Sequence, residues 1–91
     1  MCRNIRVLHH FRPPTTREEI HAAALQYVRK VTGFRSPHIA DRAAFDQSVD
    51  DIAAITERVL ASLTAAGPER TREGEKEKAK LRWQRRAGQA G

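Results

Sequence analysis

Phe45, Val49, Ile52, Thr56, Val59 and Leu63 follow one another at steps of four, three, four, three and four residues. That spacing places all six on one side of an α-helix, and Ile55 and Leu60 widen the stripe. Asp46, Asp50, Asp51, Glu57 and Arg58 fall away from it. The Gly67-Pro68 pair is expected to stop the helix. A helix over residues 41–65 would be about 37 Å long at about 1.5 Å per residue. A rod of that length with one oily side must lie against something.

The first partner is legible upstream. In "PPTTREEI" the two prolines hold the backbone extended, and Thr16 with Glu19 three residues later forms the pattern of a capping box. Glu18 and Glu19 also suit the positive end of a helix dipole. Ile20, Ala24, Tyr27, Val28 and Val31 then recur on one face, and Gly33 supplies a left-handed stop. Phe34 follows where a Schellman ending would bring an apolar contact with Val28. The spacing predicts a helix over 17–32. The linker "GFRSP" is short, with Ser36 and Asp41 as rival starts for the second helix, so the two helices run antiparallel as neighbours.

A hairpin alone buries too little apolar surface to offset the ordering of about 50 residues. A third element is required, either the N-terminal segment or a second copy of the chain. In "NIRVLHHF", Ile5, Val7 and Phe11 alternate as in a strand, while Ile5, Leu8 and Phe11 step as in a helical turn. No second strand is visible to pair with it, which favours a short helical or extended arm packed on the hairpin. The expected fold class is all-α: an antiparallel helical hairpin with a packed N-terminal arm over residues 1–67, and a flexible, basic C-terminal tail over 68–91, mostly disordered on its own. Glu73–Lys76 and Glu77–Lys80 pairs would support transient helix in that tail.

The charge divides the same way. Residues 1–67 carry nine Lys/Arg and seven Asp/Glu, a net +2, and residues 68–91 carry eight Lys/Arg and four Glu, a net +4. A single cysteine excludes an internal disulfide framework. No apolar run reaches the roughly 20 residues that span a bilayer, and no apolar stretch of a secretory signal follows the first arginines. The expectation is a cytoplasmic protein.

Few residues suggest chemistry. Cys2 is the candidate reactive thiol. Removal of Met1 would set it beside a free amine, with Arg3 and Arg6 favouring the thiolate. No general acid or oxyanion site accompanies it, and the simpler reading is a small apolar side chain tucked against the hairpin. His9, His10, His21 and His38 lack the paired spacing of a structural zinc site, so solvent-facing histidines and no bound metal are expected. Asp46 and Asp50 lie one turn apart, as the outer face of any soluble helix allows; that acidic stripe could also dock the basic tail. The stretch "KEKAKLRWQRR" is the most suggestive. Lys76, Lys78, Lys80, Arg82, Arg85 and Arg86 bracket Trp83, a combination that suits sequence-tolerant nucleic-acid binding by phosphate neutralisation and base stacking. An anionic membrane surface that takes up Leu81 and Trp83 is the rival partner, and a merely solubilising tail is the bland reading.

"MCRNIR", "PPTTREEIHAAALQYVRKVTGF" and "AAFDQSVDDIAAITERVLASL" together resemble the small bacterial domain of unknown function numbered 2277, over about residues 1–64. The resemblance implies a compact helical bacterial protein and carries no ligand, cofactor or catalytic residue. There is no Gly-rich phosphate loop, no Ser-His-Asp arrangement and no cofactor fingerprint. The leading reading is a non-enzymatic accessory protein. Its partners would be nucleic acid, through the tail, and a protein or second copy, through the seam of helix 41–65. The alternative is a thiol-dependent activity or metal binding centred on Cys2.

Overall fold

A computed structural model of the chain describes residues 4–90, and the fold is all-α. Helix α1 spans Arg17–Thr32, α2 spans Arg42–Ser62 and α3 spans Arg72–Ala90, with one 3-10 turn at Ile39–Asp41 leading into α2.

Helix α1 occupies the residues its sequence dictates because both ends are fixed locally. The Glu19 N–H donates to Thr16 Oγ1 at 3.2 Å, and the Thr16 N–H donates to Glu19 Oε1 at 2.9 Å, which completes the capping box. At the other end Gly33 sits at φ 78°, and its N–H donates to the Arg29 carbonyl at 2.9 Å. That single bond is the simple left-handed ending rather than the two-bond Schellman pattern. Phe34 meets His38 edge-on, with ring centroids 5.6 Å apart, and remains largely exposed.

Helix α2 begins at the later of its two rival starts, directly after the 3-10 turn. It stops at Ser62, before the Gly67-Pro68 pair. Two local causes act there. Ser62 Oγ donates to the Val59 carbonyl at 2.9 Å, competing with the helix ladder. The partner helix also gives out, because Arg17 at the start of α1 faces Glu57 at 3.7 Å and nothing of α1 lies beyond.

The helices are antiparallel, with His21 near Asp50 at 4.0 Å as a second marker of register. Ala24, Val28 and Val49 are buried between them, flanked by Leu25, Phe45, Ile52 and Ala53. Thr56 occupies the seam at no polar cost, since its hydroxyl donates to the Ile52 carbonyl at 2.7 Å. The far end of the stripe differs. Ile55, Val59 and Leu63 are about half exposed.

The N-terminal arm is the third element. It is irregular, neither helix nor strand, and it buries Leu8 and Phe11. Its pairing partner is the start of the basic segment. The Arg12 N–H donates to the Arg70 carbonyl at 2.9 Å, and the Arg70 N–H donates to the His10 carbonyl at 2.8 Å, giving one parallel bridge between Phe11 and Arg70. The chain turns towards this bridge at Gly67, whose φ of 77° lies in the left-handed region that glycine adopts without strain. Residues 67–72 pack against the arm, and Arg72–Ala90 form α3. Thr71 explains the helix start: its Oγ1 accepts from the Gly74 N–H at 3.0 Å and its carbonyl from the Glu75 N–H at 3.0 Å. Glu75 adds ion pairs to Arg70 at 3.4 Å and to Lys78 at 3.7 Å.

Candidate nucleic-acid interface and its attachment

Residues 76–88 stand clear of the hairpin, and every one of them is exposed. Among the described residues, helix α3 makes no helix–helix packing with α1 or α2. The acidic side of α2 thus does not receive the basic segment within this chain.

Residues 76–88 carry six Lys/Arg and one Glu. At about 100° per residue, Lys78, Arg82, Arg85 and Arg86 share one side of α3, while Lys76, Lys80 and Trp83 share another. Trp83 is 69% exposed, with cations one turn away on both sides at Lys80 and Arg86. Leu81 points to the side opposite Trp83, about 160° away at that pitch. One face cannot bury both, so α3 lacks the apolar stripe of a membrane-surface helix. The geometry leaves separated cations and one free aromatic ring on a rod, an arrangement able to neutralise phosphates and stack on a base.

The attachment of this rod centres on one carboxylate, Glu19. Its oxygens accept from Arg72 Nη2 at 2.7 Å and Arg72 Nε at 3.1 Å, a two-pronged pair, and from Arg6 Nη2 at 3.0 Å. The same carboxylate holds the Thr16 N–H of the capping box. Arg72 donates two further N–H groups, to the Pro13 carbonyl at 2.8 Å and the Pro14 carbonyl at 3.3 Å. Its guanidinium lies 5.3 Å from the centroid of the Phe11 ring. The Arg72 pair, the Thr16 N–H and Arg6 together hold the Glu19 carboxyl far below the usual carboxylate range, against the opposing effect of partial burial. Neighbouring bonds reinforce the junction: Arg70 Nη1 to the His9 carbonyl at 2.7 Å, Arg12 to Glu69 at 3.1 Å, and His10 Nε2 with the Gly67 carbonyl at 3.0 Å.

Sequence reasoning saw Glu19 only as a helix cap, and Arg70 and Arg72 only as tail charges. Their partners lie 53–61 residues away, and no periodicity links positions that far apart. The single usable signal was a carboxylate at the third helical position with more cations in the chain than its cap requires.

The other candidates fare differently. Cys2 lies outside the described residues. Among the described residues, no three His, Cys, Asp or Glu side chains converge to hold a metal ion. His9 and His10 are half-buried in the arm rather than solvent-facing, and His21 reaches Asp50 alone. Asp46 and Asp50 are both exposed, and Asp50 lies beside His21 of α1. An open groove of about 430 Å³ runs between the arm and the hairpin, walled by Ile5, Val7, Tyr27, Ile52, Thr56 and Leu60 among others. No helix among the described residues is long and apolar enough to cross a membrane.

A family described as an uncharacterised conserved protein, DUF2277, matches residues 1–78, past the junction at 67–72. No curated protein and no solved structure matches the chain.

Proposed function

We propose that this chain, which belongs to the DUF2277 family, is a non-enzymatic accessory protein that holds polyanionic nucleic acid with α3. The folded unit in this reading runs from the arm through about residue 75, and residues 76–88 are the contact surface. One observation carries the proposal: six cations and an exposed Trp83 stand on residues 76–88 of α3, which nothing else among the described residues covers. Each phosphate neutralised releases counterions, and Trp83 stacks on an unpaired base. Both interactions are blind to sequence, and no groove-reading motif accompanies them.

The test is binding to duplex DNA and to structured RNA over a salt series, comparing the full chain with a chain ending at Glu75. The cut spares Arg70 and Arg72, which belong to the fold. With the four-cation side of α3 engaged, log K against log salt falls with a slope of roughly −4, from about −0.9 per phosphate on duplex DNA. The shortened chain loses that binding. Equal binding by both chains refutes the proposal.

The groove and the half-exposed Ile55, Val59 and Leu63 favour a second contact, with protein, along the seam of α2. Sedimentation at rising concentration reads whether a second copy takes it. A monomer at all concentrations leaves a different protein as the partner of that surface.

A further inference from the structure

We propose that Glu19 and Arg72 form a clasp that fixes the direction in which α3 leaves the hairpin, making the basic helix a positioned arm rather than a trailing one. The inference does not depend on what α3 binds.

The attachment has two points with different mechanical roles. At Arg70, one pair of backbone hydrogen bonds joins the chain to the arm at His10 and Arg12. That pair, with the Arg70 Nη1 bond to the His9 carbonyl, holds a position on the irregular arm and sets no angle against a helix. Arg72 lies in the first turn of α3, two residues further on, and it supplies that angle. Its planar fork meets both oxygens of Glu19, its face lies on Phe11, and two further N–H groups reach the carbonyls of Pro13 and Pro14. A fork bound on several sides sets an angle, which a lysine's point charge would not do.

Glu19 is suited to the other half. It is the third residue of α1 and is held by the capping box, so its carboxylate is placed by the helix rather than by a loop. Its side chain is 16% exposed and that of Arg72 is 29% exposed, so water competes weakly for the pair. Arg6 meets the carboxylate from the N-terminal arm. One carboxylate therefore joins three parts of the chain: the arm, α1 and α3. Among the described residues nothing beyond residue 75 restrains the direction of α3, because residues 76–88 are exposed and α3 packs on neither helix. With the Glu19 pair lost, α3 stays tied by the bridge, by the contacts of Gly67, Glu69 and Arg70 with the arm and by the bonds of Arg72 to Pro13 and Pro14, all of them to the irregular arm rather than to a helix.

Trp83 is the chain's only tryptophan and sits well out along α3, so its time-resolved fluorescence anisotropy reports that helix's motion. The comparison is wild type, Glu19→Gln and Arg72→Gln, each full length and without ligand. Glutamine still completes a capping box, so α1 is kept in Glu19→Gln, and far-ultraviolet circular dichroism checks it. In wild type, Trp83 depolarises with the whole molecule, in a decay dominated by the slow component. In both variants most of that slow amplitude is lost to a fast component while helix content is kept. A fast-dominated decay in wild type overturns the clasp. So does a lowered melting temperature in the variants with an unchanged decay, which is what a purely stabilising pair would give. Should Glu19→Gln lose α1, Arg72→Gln, which leaves the cap untouched, decides the matter: an unchanged slow amplitude there overturns the proposal.

Discussion

Val49 and Val59 both belong to the repeating stripe of α2, yet their surroundings differ. Val49 is 2% exposed and lies against Ala24 and Val28, whereas Val59 is 46% exposed past the point where α1 begins. Truncation to alanine separates them. Val49→Ala removes two buried carbons, roughly 1.6 kcal/mol at about 0.8 kcal/mol per CH₂. The rigid helix crossing cannot close the gap fully, and the cavity raises the cost to about 2–3 kcal/mol. For a domain this small, that lowers the melting temperature by roughly 10–20 °C. Val59→Ala costs within about 0.5 kcal/mol, as at other surface sites. Thermal unfolding followed by circular dichroism at 222 nm, with urea titration as a second measure, reads both. Equal losses would mean that the far end of the seam is as buried as the centre, and the packing described here would be refuted.

Other consequences follow from the junction. The folded Glu19 carboxyl titrates below its unfolded value, so the stability it adds is fully present above the unfolded pKa of about 4.3 and is lost as pH falls through the folded one. Acid unfolding therefore steepens below about pH 4.3, and Glu19→Gln flattens the profile there; parallel profiles would contradict the shared carboxylate. A chain ending at Gly67 melts well below one ending at Glu75, because only the longer keeps the bridge and the Arg72 contacts; matching melts would detach the junction from the fold. Gly67→Ala forces a β-carbon into the left-handed region and costs about 1 kcal/mol. Since the added carbon meets nothing within 4 Å, a fully neutral substitution would mean the turn is not left-handed.

What the sequence disclosed was local. Helix α1 was legible to the residue because Thr16, Glu19 and Gly33 set its ends within a turn of themselves. The seam of α2 was legible as a period, but its depth was not: Val49 and Val59 both lie in the stripe, and what covers each comes from elsewhere in the chain. The arm could not be assigned from eight residues, since its strand-like pairing partner is Arg70, in a segment whose charge and low apolar content read as solvated tail. Leu8 and Phe11 gave no sign of being more buried than Ile5 and Val7. The basic surface of α3 was fully visible as composition. Its helical form was not, because the Thr71 cap and the contacts of Arg70 and Arg72 supply the start that the repeating charges alone do not.

The claim on which the architecture rests is that Glu19 and Arg72 act on each other directly. A double-mutant cycle of Glu19→Gln, Arg72→Gln and the pair, read as stability to urea at neutral pH, measures that coupling. The account predicts strongly non-additive losses, with the double variant little less stable than the worse single one. Losses that simply add would show two residues contributing independently, and would contradict it.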